Sequence, residues 1–156
     1  MAQNPHLSAL AFVRTAFDRS TACLEEEDAS FAPTPGMFTT AQQIAHTAQV
    51  VDWFREGAFR PEGFDLDFEA IEKQVRAVKT LGEARRRFAD AMTRLGQVVA
   101  ETSPEELAVP IADGPIMGGE PRHVIVPAFA DHTAHHRGAL TTYARLRGRT
   151  PAMPYE

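Results

Sequence analysis

Cysteine is nearly missing from this chain: Cys23 is the only one in 156 residues. No intrachain disulfide can form and no cysteine-based zinc cage can be built, so any metal site must use histidine and carboxylate. A basic excess is missing too, with 16 Lys and Arg against 21 Asp and Glu and a net charge of -5. Nucleic acid is therefore not an expected partner, because phosphate binding needs a clustered basic surface. The one basic run, Arg85-Arg86-Arg87, has Glu83 and Asp90 close by and reads as a solvated helix face. No apolar run approaches the length of a membrane span, so no membrane partner is expected either. The opening Met1-Ala-Gln-Asn-Pro-His6 lacks a basic stretch followed by an apolar block; secretion is not signalled, and a cytoplasmic location is the expectation. The length suits one domain, residues 1–156, with a sizeable core.

What the chain does have is helical periodicity. Leu7, Leu10, Phe12, Val13, Phe17 and Leu24 recur at helical spacing and predict a first amphipathic helix over 7–24. Glu25-Glu-Glu-Asp28 should carry the chain out of the core, and Phe31-Ala-Pro-Thr-Pro-Gly36 cannot continue a helix. Thr39 or Thr40 can cap a second helix over 41–58, with Ile44, Ala48, Val51 and Phe54 on its core stripe. A third helical region starts at Asp67 and runs through Val78. Thr80 with Glu83 has the form of a capping box, so a helix should restart there and reach Glu101 on a stripe of Phe88, Met92, Leu95 and Val99. From 103 to 119 the chain is rich in proline and glycine, with one short turn expected at Ser103-Pro-Glu-Glu and a weak signal for a strand or hairpin near 107–117. The last helix is expected from Pro121 to Leu146. Pro127 should either kink it about one turn before His132 or mark its true start. Four long amphipathic segments without strand alternation predict an all-α helical bundle, and the long connections leave its topology open. Cys23 reads as a small packing residue.

The chemistry concentrates in Ala130-Asp-His-Thr-Ala-His-His-Arg-Gly138, three histidines within five residues. At 3.6 residues per turn His132 and His136 share one face about 6 Å apart, a separation at which two imidazoles can hold one metal ion. Ile125, Phe129, Leu140 and Tyr143 continue that face, so both rings should point into a core. His46 sits on the second helix with Val50 and Trp53 one and two turns further on, and joins the pair as candidate third ligand. A purely structural histidine cluster is the competing reading. His135, at the side of the stripe near Asp131, supports a ligand from outside or is simply solvated. Arg137 can pair with an acidic substrate group, with Asp131, or with neither. Trp53 and Tyr143 are candidates for pocket walls or for ordinary core.

Three imidazoles would leave a coordination position open, the pattern of catalytic rather than structural zinc sites. A divalent ion there can lower the pKa of a bound water or hold a thiolate, which fits hydrolysis and thiol transfer equally. Imidazole suits zinc, nickel, copper and iron alike. One divalent ion is expected, zinc or nickel first, with iron or manganese as alternatives. A zincin fits less well because no glutamate lies between the two histidines, and so does a ferritin-like di-iron site, because Glu120-Pro-Arg-His123 is the only Glu-x-x-His spacing and reads as a chance match.

Ala45-His46 through Trp53-Phe54, followed by Asp131-His-Thr-Ala-His-His-Arg-Gly138 and the proline-containing tail, resembles the DinB/YfiT-like family of metalloenzymes. The resemblance covers nearly the whole chain, with Ala139 standing where glutamine commonly follows the His-His-Arg-Gly run. It implies a four-helix bundle, often homodimeric, whose divalent metal is held by His46, His132 and His136. It also implies kinship with bacillithiol transferases and mycothiol-dependent maleylpyruvate isomerase, in which a low-molecular-weight thiol is cosubstrate at the metal. The functional expectation is a metal-dependent thiol S-transferase or hydrolase acting on a small electrophile. The rival is a metal-binding, stress-associated dimeric bundle without turnover.

Overall fold

The computed structural model describes residues 4–155; the first residues of the Met1 opening examined for a leader lie outside them. Helix α1 spans Pro5–Thr21, with Asn4 accepting from the His6 amide and Pro5 in the first turn, where its missing N–H costs nothing. It ends three residues short of the expected Leu24. The following acidic stretch does not leave the core as expected: Glu26–Asp28 form a 3-10 turn in which Asp28 is completely buried. That burial is tolerated because Arg147 and Arg149 each donate to one Asp28 oxygen at 3.0 Å, and the Glu25 amide donates at 3.0 Å.

Helix α2, Thr40–Phe59, opens with a reciprocal capping box between Thr39 and Gln42. Short α3, Phe68–Arg76, is capped by Asp67. Helix α4, Leu81–Glu101, begins at the predicted Thr80, whose hydroxyl accepts from the Glu83 amide. The reciprocal half of that box does not form, because the Glu83 carboxylate pairs with Arg87. The carboxylate of Glu26 instead accepts from the Leu81 and Gly82 amides, so the first helix's exit segment caps the fourth. Arg85 likewise departs from a solvated role: it folds onto the carbonyls of Thr21 and Leu24 at the end of α1. One-turn α5, Pro104–Leu107, carries a full capping box from Ser103 and Glu106. The expected hairpin reduces to one antiparallel bridge between Pro110 and Pro121.

Helix α6, Ile125–Leu146, follows a 3-10 turn at Arg122–Val124. Pro127 falls in its first turn, where the backbone N–H has no intrahelical partner in any case. The α-helix starts at Ile125, four residues later than the expected Pro121, and the proline within its first turn therefore breaks no hydrogen bond.

Helix α2 packs on α4 and α6, and α1 packs on α6 and α4, so the two helices that are consecutive in sequence at each end lie diagonally across the bundle. The chain is thus not a sequential up-down-up-down bundle. Short α3 leans on α2 outside the ring. The core runs through Phe17, Ile44, Val51, Leu95, Phe129 and Leu140, all almost fully buried. Each such side chain contributes roughly 2 to 3 kcal/mol by leaving water. Phe17 and Phe88 meet ring to ring at 4.3 Å. Phe12 departs from the predicted stripe, being 57% exposed on the α1/α6 face, where Tyr155 stacks on it. Cys23 is half-buried against the core.

No described helix is long and apolar enough to cross a membrane.

Candidate metal centre

The i, i+4 spacing on α6 does what helix geometry dictates: Nε2 of His132 and Nε2 of His136 converge to 3.0 Å. Because α2 is the neighbour of α6, His46 is brought against both, with ring centres 5.3 Å from His132 and 4.8 Å from His136. One nitrogen from each of the three histidines lies within 4.8 Å of the others. Among the described residues this is the one histidine, cysteine and carboxylate group of three or more with that property.

The donor set fits a divalent ion. Two imidazole nitrogens bound at about 2.0 to 2.1 Å to one ion are about 3.3 Å apart at a tetrahedral angle and about 2.9 Å apart at a right angle, which brackets the observed pair. Among the described residues no carboxylate joins the three nitrogens, so these supply neutral ligands only. Burial lowers the pKa of all three imidazoles. For His136 it acts with the neighbouring His132, His46 and His135 and brings the value to about 3. For His132 it acts with His46 and His135 against Asp131, leaving about 4. For His46 burial outweighs the opposing pull of Glu72. All three are therefore neutral imidazoles near neutral pH, each with one ring nitrogen carrying a lone pair and the other a proton.

A hydrogen bond points to the ligating atom of His136. The Gln43 carboxamide covers Nδ1 of His136 at 2.5 Å, so Nε2 is the free ligand atom of that ring. With the amide nitrogen facing Nδ1, the His136 proton sits on Nε2, directed at His132; ligation through Nε2 calls for the flipped carboxamide, its oxygen accepting from Nδ1–H. Nδ1 of His132 is buried without a partner. A hydrogen bond between two imidazoles thus occupies the place where an ion would be shared.

Not every expected residue joins the cluster. His135 is exposed, with its ring edge-on to His136 at 4.9 Å, and Asp131 is exposed; no hydrogen bond links either to a ligand imidazole among the described residues. The Arg137 guanidinium lies 5.9 Å over the Tyr155 ring and lines the groove between α1 and α6. It faces away from both Asp131 and the histidines because α6 presents that position to α1. Tyr143 is buried and its hydroxyl donates to the Phe38 carbonyl at 3.1 Å, so it braces the segment before α2 and lines none of the described cavities. Trp53 lines a cavity shared with His46, its indole N–H donating to the Asp65 carbonyl at 2.8 Å.

Gln43 was not legible as a site residue, although its place three positions before His46 puts both on one face of α2. Phe38, whose ring centre lies 5.3 Å from that of His46, was equally hidden in a loop.

Solved structures with this architecture exist. A DinB-like protein from Bacillus cereus ATCC 10987 superposes with a TM-score of 0.76 at 17% identity, over 94% of this chain and 93% of that one. YfiT from Bacillus subtilis, described as a probable metal-dependent hydrolase with an unusual four-helix bundle topology, superposes with a TM-score of 0.71 at 12% identity, over 94% and 87%. No curated protein matches in sequence. The family model of the DinB superfamily, however, matches residues 9–140, a span that runs from α1 into α6 and takes in all three histidines. On that match, over a bundle of the same architecture, the chain belongs to the DinB superfamily.

Proposed function

We propose that this protein is a divalent-metal-dependent enzyme in which His46, His132 and His136 hold one ion, and a water or low-molecular-weight thiol attacks a small electrophilic substrate beside it. The observation that carries the reading is the convergence of three imidazoles, without a fourth protein ligand among the described residues, next to a cavity that has His46 in its wall. A bound ion would act as a Lewis acid and lower the pKa of the nucleophile toward neutrality. The chain's own part is to keep the imidazoles unprotonated by burial, to orient His136 through Gln43, and to hold the reactant at the His46 side. The likeness to YfiT supports the hydrolytic form of the reaction, and the family resemblance supports the thiol-dependent one. Zinc and nickel are the first metals on this reading, with iron and manganese next, and the assembly is a homodimer.

The test is metal content per chain, by elemental analysis of untagged protein, for the wild type and for His46→Ala, His132→Ala and His136→Ala. About one ion in the wild type and none in each helical variant is the expected result. An ion that survives loss of His46, or no uptake after reconstitution, overturns the site. Hydrolysis and thiol-transfer assays on the loaded protein then separate an enzyme from a metal-binding bundle without turnover, and sedimentation measures the dimer.

A further inference from the structure

The cavity beside His46 has a volume of about 210 Å³ and is walled by Phe38, Val50, Trp53, Phe68 and Ile71. These come from the segment before α2, from α2 itself and from α3, so the small outer helix serves as one wall of a pocket. An apolar cavity of about 150 Å³ holds benzene, and this one therefore has room for a single ring with a short substituent.

Its polarity is as informative as its size. The one charged side chain in the lining, Glu72, is taken by Arg76, whose Nε donates to it at 2.6 Å. Arg76 in turn lies 4.8 Å over the Phe38 ring and donates to the Gly36 carbonyl. Apart from an ion held at His46, no cation among the described residues lines the cavity to receive a carboxylate or phosphate, and its one carboxylate is already paired. A charged ligand would lose its hydration without a partner. The Gln49 carboxamide also lines the cavity, makes no hydrogen bond among the described residues, and can either donate or accept. Gln49, Trp53 and Ile71 also border a second cavity, of about 420 Å³, and there the lining is charged, with Asp52, Glu56, Arg87 and Arg94. The two compartments differ in kind.

Resting on the metal-dependent reading above, we propose that the 210 Å³ cavity seats the substrate's body, and that this body is uncharged and aromatic or otherwise apolar. Its single hydrogen-bonding group is directed at Gln49 and its reactive end faces His46. The specificity of the site is then set by Phe38, Trp53, Phe68 and Ile71, none of which touches the ion.

Trp53 is the only tryptophan in the chain, so its fluorescence reports on the two cavities it borders, and a filling variant at Val50, which lines the 210 Å³ cavity and not the charged one, assigns the response to the apolar side. Benzyl alcohol, benzoate and benzylammonium are titrated against chelator-treated and metal-loaded protein. Benzyl alcohol should produce a saturable change in both forms, and in the chelator-treated form the two charged analogues should bind at least about tenfold more weakly. Ile71→Phe, at a position that borders both cavities, should abolish the response; Val50→Ile, which fills only the 210 Å³ cavity, should weaken it and assigns the site even if the first variant does not fold. Equal binding of the three probes to the chelator-treated protein, or a response unchanged by the filling variants, overturns the proposal. Probe binding to protein that takes up no metal would leave the cavity assignment standing and sink the metal reading. One ion per chain with no probe response would do the reverse.

Discussion

The carboxamide of Gln43 lies 2.5 Å from Nδ1 of His136, so a side chain of α2 holds the ring of a ligand candidate on α6. The contact settles which nitrogen of His136 faces the cluster. A ligating imidazole depends on such a partner for its tautomer and its basicity. Gln43→Leu should weaken divalent-metal affinity by about 10- to 100-fold, read by competition with a chelator, while circular dichroism stays helical. Gln43→Glu, which keeps an acceptor in place, should restore most of it. Full affinity in the leucine variant would mean that the amide is idle.

Asp28 and the two arginines at the end of α6 contribute to the acid sensitivity of the fold. Burial by itself would raise the carboxyl pKa, but hydrogen bonds from the Glu25 amide, Arg147 and Arg149 outweigh it and hold the value below the ordinary 3.8. The folded carboxyl is the stronger acid, so its stabilisation is complete above the unfolded value and is lost as pH falls through the folded one. Asp28→Asn should cost about 2 to 3 kcal/mol near neutral pH, the lower range for a buried pair because both arginines are partly exposed. Below about pH 4 the wild type should lose stability more steeply than the variant. The histidines titrate in both proteins, so the difference isolates Asp28. Parallel acid profiles in chemical denaturation would rule the account out.

Gly57 lies under the ring of Phe64, and a Cβ added at 57 would run into that ring. Phe64 also packs at 4.5 Å, centre to centre, against Trp53. Gly57→Ala should therefore destabilise by about 1 to 3 kcal/mol and shift the Trp53 emission, because the displaced ring disturbs the indole. Unaltered emission together with wild-type stability would count against this packing.

Tyr143 donates to the Phe38 carbonyl across the interface between α6 and the segment before α2. Tyr143→Phe should lower stability by about 1 kcal/mol, measured as a lower urea midpoint at constant slope. Since Phe38 lines the cavity beside His46, the same variant should weaken the benzyl alcohol response. A variant indistinguishable from wild type in both measurements would assign the hydroxyl no role.

Thr39, Thr80 and Ser103 announce helix starts in the sequence because capping is local: the donor and the acceptor are three residues apart. The pairing of His132 with His136 is legible for the same reason, since one helical turn fixes their separation whatever surrounds them. Asp28 reads as a solvated acid because nothing near it in the chain hints at Arg147 and Arg149. Phe12 reads as core because periodicity cannot tell an α1 face covered by another helix from one left to solvent and Tyr155.

Local rules acting over three or four residues were enough to establish the helices, most of their caps and the two-histidine face of α6. The diagonal arrangement that sets α2 beside α6 was a matter of packing alone. It brought His46 to the pair, laid Gln43 on His136, turned Arg137 away and closed a cavity with α3. Those contacts join residues far apart in sequence, and only the burial of complementary helix faces against one another selects among the topologies that the same amphipathic pattern allows.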